Sequence, residues 1–318
     1  MNRRALTLPL ALALLGCGGD AARRATPIAP GRCPPTGVAV QVLGSARDAG
    51  LPGRAGAGYA LHVDGRVRLL VDLGAGTLTR LGDAGGRLED IDAILITRVG
   101  IGPVADLAPL LDAARAAGRR RPLAIVGPAG GPDRPSTAVW LRQTFGDPRG
   151  AHPELAPLLA PGDPYRIALH DVTVDAGTPR LVFAEGDLEV HAIGVPHGDI
   201  PAVGYRVRAA GRSVGFTGEQ RADDPRFLAL VRGVDLLVAH VSAPEDQHSD
   251  RHAPPGMIGA LARAARAGRL LVAGATADSL ARSADDDAIL RDRYPGPIDH
   301  AADLDCVVVP PPPAESAR

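Results

Sequence analysis

Lysine is missing altogether: all 35 basic residues of this 318-residue chain are arginines, set against 36 acidic ones. With a formal net charge of −1, the chain lacks the basic excess that bulk attraction to nucleic acid requires. Aromatic residues make up only 3%, which argues against stacking platforms for bases or sugars. No apolar run is long enough to span a bilayer. The arginine-only usage, beside abundant alanine, glycine and proline, reads as coding bias rather than an arginine-specific task. What is plentiful is apolar material: at 45% hydrophobic content the chain can bury a sizeable core, as one large domain or two fused halves.

The first residues carry a different message. Arg3 and Arg4 precede an apolar stretch from Ala5 to Leu15, the layout of an export signal. The following Leu14-Leu15-Gly16-Cys17 resembles the lipobox of bacterial lipoproteins, which implies lipidation of Cys17 and a mature chain beginning there. Gly18, rather than an aspartate, after that cysteine points onward to an outer membrane. The expected organisation is a signal over 1–17, a Pro- and Arg-rich tether over 18–36, one domain over 37–310 and a disordered tail over 311–318. Cys33 and Cys306 remain as potential partners in an oxidising compartment, although two thiols at opposite ends of a chain establish nothing by count.

The domain is organised around Val71 to Leu110. An apolar run ends in Asp72 and a Gly-rich turn, a short helix follows, and a second apolar run from Ile91 to Thr97 empties into a loop that opens another helix. This is a βαβ unit with its working loop at the C-terminal end of the second strand. Around it, Asp64-Gly65 predicts a two-residue hairpin. Helices are expected over Val104–Gly118, Thr137–Phe145 and Met257–Ala267, a strand over Val172–Val174, and a mobile surface segment over Gly146–Pro164.

Asp72, Gly74, Gly76 and Thr77, then a strand ending in Thr97, then Asp106 and Leu107, resemble the frame of the metallo-β-lactamase superfamily, in its ribonuclease Z, arylsulfatase and phosphodiesterase branch. The resemblance covers roughly residues 37–310. It implies an α/β fold, an αββα sandwich of two mixed β-sheets flanked by helices. It also implies a metal loop of the form H-x-H-x-D-H, and here the loop departs: Thr97 is followed by Arg98, Val99, Gly100, Ile101, Gly102 and Pro103. Alternating side chains would have aimed two imidazoles at one metal. Arg98 has no lone pair to give, and Gly100, Gly102 and Pro103 have no ligating side chain.

Other family positions follow by resemblance. His197, before Gly204-Tyr205-Arg206, falls on a ligand position and reads equally as a retained ligand or a buried structural histidine. Glu219 stands where the family has a bridging aspartate, one methylene too long. His240 ends a strand of the family's D-L-L-x-x-H type, His252 falls on a residue that assists proton transfer in relatives, and Gly274 occupies the last ligand position. Asp72 is expected to bond the backbone of its own turn.

Three readings stand. The leading one is an exported lipoprotein, anchored to a bacterial membrane and facing the periplasm, with a domain that has lost most zinc ligands and serves in binding or scaffolding; it needs no cofactor and leaves its small-molecule or protein partner unnamed. A second is a hydrolase with one zinc rebuilt among His191, His197, Glu219, His240 and His252. A third keeps only the fold and predicts no organised polar cleft. Arg98 and Glu219 are expected to form an ion pair in place of the metal charge, through two parallel hydrogen bonds.

Overall fold

A computed structural model describes residues 31–47, 50–161, 165–174 and 177–310. The signal, Cys17, the tether up to residue 30 and the tail from residue 311 lie outside the described residues. The strands fall into two seven-stranded mixed sheets. The first is built from β1 (Val38–Gly44), β2 (Gly58–Val63), β3 (Arg66–Leu73), β4 (Ala93–Leu95), β5 (Leu123–Pro128) and β6 (Ile167–Val172). The second comprises β7 (Arg180–Glu185), β8 (Leu188–Val195), β9 (Ala202–Ala209), β10 (Arg212–Phe216), β11 (Leu236–His240), β12 (Leu270–Ala273) and β13 (Ile298–His300). The last strand, β14 (Cys306–Val308), returns to the first sheet beside β1. In each sheet antiparallel pairs occupy one side and parallel pairs the other.

Local chemistry explains the hairpins. Asp64 and Gly65 both take positive φ, 49° and 76°, the turn whose twist matches the flanking strands. Ala210 and Gly211 do the same between β9 and β10, at 46° and 71°. The aliphatic and aromatic residues facing inward from both sheets, among them Val40, Tyr59, Leu69, Leu95, Tyr205, Val214 and Leu271, interlock in one buried layer.

Helices cover the outer faces. On the first sheet lie α1 (Thr77–Asp83), α2 (Ile101–Val104), α3 (Leu107–Ala116) and α4 (Thr137–Leu141), packed through Leu81, Leu107, Leu111 and Leu141. On the second lie α5 (Pro225–Leu230), α6 (Pro255–Ala265), α7 (Ala277–Ala281) and α8 (Ser283–Arg293), with Phe227, Ile258, Ala262 and Leu290 in the interface. The αββα architecture expected from the resemblance is therefore present.

Several local expectations are corrected. The helix predicted over Val104–Gly118 is two pieces, since Pro109 has no N–H to offer the Ala105 carbonyl, and at the break Asp106 accepts from the N–H groups of Gly76 and Leu78 at 2.9 Å each. The segment expected to be mobile holds a 3₁₀ helix over Pro153–Leu159, which buries Leu155 and Leu158 in the cluster that includes Phe145. The strand expected over Val172–Val174 lies earlier, as β6, held parallel to β5. The β13 strand was not foreseen. Cys33 is joined to Cys306 by a disulfide, so the chain meets the domain ahead of Gly37, inside the stretch expected to be tether.

Candidate functional site

The site forms where β4 and β10 end at the same rim. After Leu95 the chain continues through Ile96 and Thr97, and the N–H of Val203, next to the start of β9, donates to the Thr97 carbonyl at 2.8 Å. An isolated bridge between Arg98 and Ala202 continues this stitch between the two sheets. Across the rim, β10 is followed by Thr217 and Gly218, whose φ of 58° turns Glu219 inward. A Cβ at Gly218 would stand 2.9 Å from the Thr97 Cβ, so the close approach of the two strand ends requires glycine there.

Asp72 holds the frame in a way the sequence did not suggest. Its carboxylate accepts from the Thr97 N–H at 2.8 Å and the Thr97 hydroxyl at 2.7 Å, tying β3 to the end of β4, rather than bonding its own turn. The correction has a backbone cause: Asp72 itself sits at φ 55°, which swings its side chain off the turn and across to the neighbouring strand. Burial pushes its pKa up to about 7 despite both hydrogen bonds.

Glu219 meets the opposite surroundings. Arg98 Nη2 donates to Glu219 Oε1 at 3.2 Å, and both side chains are largely withdrawn from solvent. The expected pair is thus formed, with one hydrogen bond in place of two. The second oxygen is drawn the other way, with His252 Nε2 at 3.5 Å and His197 Nε2 at 3.7 Å from Oε2. Burial alone would raise the Glu219 pKa, but the contact with His252 and the charge of Arg98 outweigh it and hold the carboxyl well below the usual range.

His197 donates its Nδ1–H to the Arg251 carbonyl at 2.8 Å, which turns Nε2 toward Glu219. Burial lowers its pKa, against the pull of Glu219. His240 is apart from this group: its Nε2 meets the Tyr59 hydroxyl at 2.8 Å, and burial lowers its pKa to about 4. His191 lies on β8 opposite Arg206 and is not brought to the cluster. Tyr59 and the Arg251 carbonyl are the partners that sequence reasoning missed. Only the inward phase of Tyr59 on β2 hinted at the first, and a backbone carbonyl leaves no signal.

The resemblance implies a pair of metal ions at this rim, and the side chains present do not fit one. A Cβ at Gly100 would lie 2.5 Å from Arg98 Nη1, and one at Gly102 would lie 3.6 Å from Nη2. The guanidinium therefore fills the volume into which ligands at those positions would project. At Gly274, φ 76°, a Cβ would lie 2.9 Å from Cγ of His240. Guanidinium and ring thus occupy the space beside three positions where the family places ligands, Gly100, Gly102 and Gly274. What remains is a set of three donors, on His197, Glu219 and His252, whose ligating atoms lie within 4.8 Å of one another.

Comparison with known proteins bears on the family and the fold. Residues 68–273 match the model of the Beta-lactamase superfamily domain. No curated protein sequence matches. Among solved structures, human tRNase Z, short form, superposes with a TM-score of 0.64 at 21% identity, over 86% of this chain and 99% of that one. The metallo-β-lactamase fold protein YhfI from Bacillus subtilis gives 0.63 at 18%, over 85% and 98%. Zn(2+)-bound PqqB from Methylobacterium extorquens gives 0.59 at 15%, over 85% and 99%. At these identities the likeness is one of fold.

Proposed function

Since the chain belongs to the metallo-β-lactamase superfamily, and its metal loop is rebuilt around an arginine, we propose that it is a non-hydrolytic member serving as a binding or scaffolding lipoprotein. The observation that carries this reading is the Arg98 guanidinium in the space of two ligand positions, paired with the carboxylate that stands for the bridging ligand. A resident cation fixed by the chain satisfies Glu219 without a metal ion. Without a bound metal no water has its pKa brought near neutrality for attack. The cluster is nonetheless organised and polar, which speaks against retention of the fold alone.

A specific observation favours a second reading. His197, Glu219 and His252 offer the three protein donors typical of a site for one zinc, and the Arg251 carbonyl, by accepting the Nδ1–H of His197, orients its Nε2 toward the other two donors. A single-metal hydrolase would use that set. One experiment separates the two: titrate the purified protein with zinc by calorimetry and assay phosphodiester, β-lactam and aryl sulfate substrates with and without zinc. We expect no stoichiometric zinc and no turnover. Zinc-dependent turnover abolished by His197→Ala would overturn the non-hydrolytic reading and establish the second.

The anchor belongs to the same proposal. Cys17 carries the lipid, and the Cys33 to Cys306 disulfide supports residence in an oxidising compartment. The stretch 18–32, at ~3.3 Å per residue when extended, allows the domain to stand at most roughly 50 Å from the membrane. Cys17→Ser should release the protein from membranes into the soluble exported fraction, and unchanged membrane association would count against the lipobox.

A further inference from the structure

Away from the Glu219 cluster, and sharing no residue with it, a cavity of about 410 Å³ opens between α7, α8 and the ends of β11 to β13. Its volume is in the range of small-molecule sites, about 300–1,000 Å³. The floor is apolar, formed by Val241, Val272, Ala273, Leu290 and Ala301, and exposed Leu280 and Ala284 stand at the mouth.

The charges in its wall do not cancel evenly. Arg54 is committed to the Ser45 hydroxyl and the Ala301 carbonyl, at 2.7 Å each. Arg291 and His300 both serve Asp287, at 2.7 and 2.9 Å. Asp286 is different. It is 7% exposed, and among the described residues the cation paired with it is Arg282, which reaches a single oxygen at 3.4 Å. Asp285 and Glu245 add like charge beside it. A buried carboxylate held by one long contact retains unmatched charge, and here it borders a space lined by hydrocarbon.

We propose that this cavity binds a small organic cation, a molecule with an apolar body and a basic amine, whose ammonium pairs with Asp286 while the body lies on the Val272 and Leu290 floor. An amine supplies N–H donors and positive charge together, and the apolar floor rejects heavily hydrated cations. The proposal stands whether or not a metal binds at Glu219, because the two sites are separate.

The test uses the whole exported domain and three probes that share one apolar body: 2-phenylethylamine, 2-phenylethanol and phenylacetate, titrated by calorimetry with methyl resonances followed in parallel. The amine should bind saturably, at least tenfold more tightly than the alcohol, and phenylacetate should not bind. Asp286→Asn should bring the amine down to the affinity of the alcohol. Ala284→Trp, an exposed position at the mouth, should block both without disturbing the core. Equal affinity for all three probes, no saturable binding of the amine, or an amine affinity unchanged in Asp286→Asn would overturn the proposal. Since zinc is absent from these titrations, failure here is distinguishable from failure of the non-hydrolytic reading.

Discussion

Two buried carboxylates at one rim, Asp72 and Glu219, have been treated in opposite ways. Asp72 is surrounded by neutral donors, the Thr97 N–H and hydroxyl, and burial wins: its pKa rises to about 7. Glu219 is surrounded by a cation and imidazoles, and there the charges win over burial and its pKa falls. The difference separates a carboxylate that joins two strands from one that faces a cation and two imidazoles. The hydrogen bonds of Asp72 join β3 to the end of β4 and need only neutral donors. A buried carboxylate is costly without positive charge beside it, and at Glu219 the Arg98 guanidinium supplies that charge.

The largest break in that comparison comes from removing the cation. Arg98→Ala should cost about 3–5 kcal/mol, the usual penalty for stripping one partner from a buried pair, read as a shift of the urea midpoint. Glu219→Ala with Arg98→Ala should recover most of the loss, because the uncompensated carboxylate is then gone. If Arg98→Ala costs no more than truncating the fully exposed Arg149, the guanidinium is not serving as the counter-ion.

A smaller effect tests the other carboxylate through pH. A carboxyl whose folded pKa is raised, from 3.8 to about 7, stabilises the fold below 3.8 and loses that contribution as pH rises toward 7. Glu219, with a depressed pKa, does the reverse: its contribution is present above the ordinary carboxylate range and is lost in acid. His240, neutral in the fold, adds stability above 6.5 that fades as pH falls toward 4. The quantity to follow is therefore the difference in unfolding free energy between wild type and Asp72→Asn, in which the other groups cancel. Asparagine tolerates the positive φ of this position and keeps an acceptor for the Thr97 N–H. That difference should change by roughly 2–3 kcal/mol between pH 4 and 7, with the wild type relatively weaker at the higher pH. A flat difference would mean that Asp72 stays ionised in the fold.

How much of this was legible in the sequence follows the same division. The frame residues Asp72, Gly74, Thr97 and Asp106 signalled a βαβ unit because local chemistry and strand periodicity determine it, and the αββα architecture came with them. The pairing of Arg98 with Glu219 was readable as charge replacing charge, since both stand at motif positions. Its single hydrogen bond was not, because it depends on His252 and His197 competing for the other oxygen, and residues 98, 197, 219 and 252 meet only through the tertiary fold. The Cys33–Cys306 pair could be named as possible but not decided for the same reason: the two lie 273 residues apart, and the return of β14 beside β1 joins them. The buried turn at Leu155 and Leu158 was masked by surrounding prolines and glycines, whose composition outweighed two leucines at a three-residue spacing.

The smallest effect concerns the glycines of the rebuilt loop. Gly100 has φ −177°, an extended conformation open to any residue, so nothing in its own backbone demands glycine. Its requirement comes from Arg98, whose Nη1 would stand 2.5 Å from an added Cβ. Gly100→Ala should therefore displace the guanidinium from Glu219 and cost about 1–2 kcal/mol, as overpacking in a filled site does. In the Arg98→Ala background the same substitution should cost less than about 0.5 kcal/mol, since the obstructing group is gone and residues in contact do not act additively. Equal cost in both backgrounds would place the need for glycine in the loop itself. Non-additivity would show that the absence of a side chain at position 100 and the presence of arginine at position 98 are one adaptation.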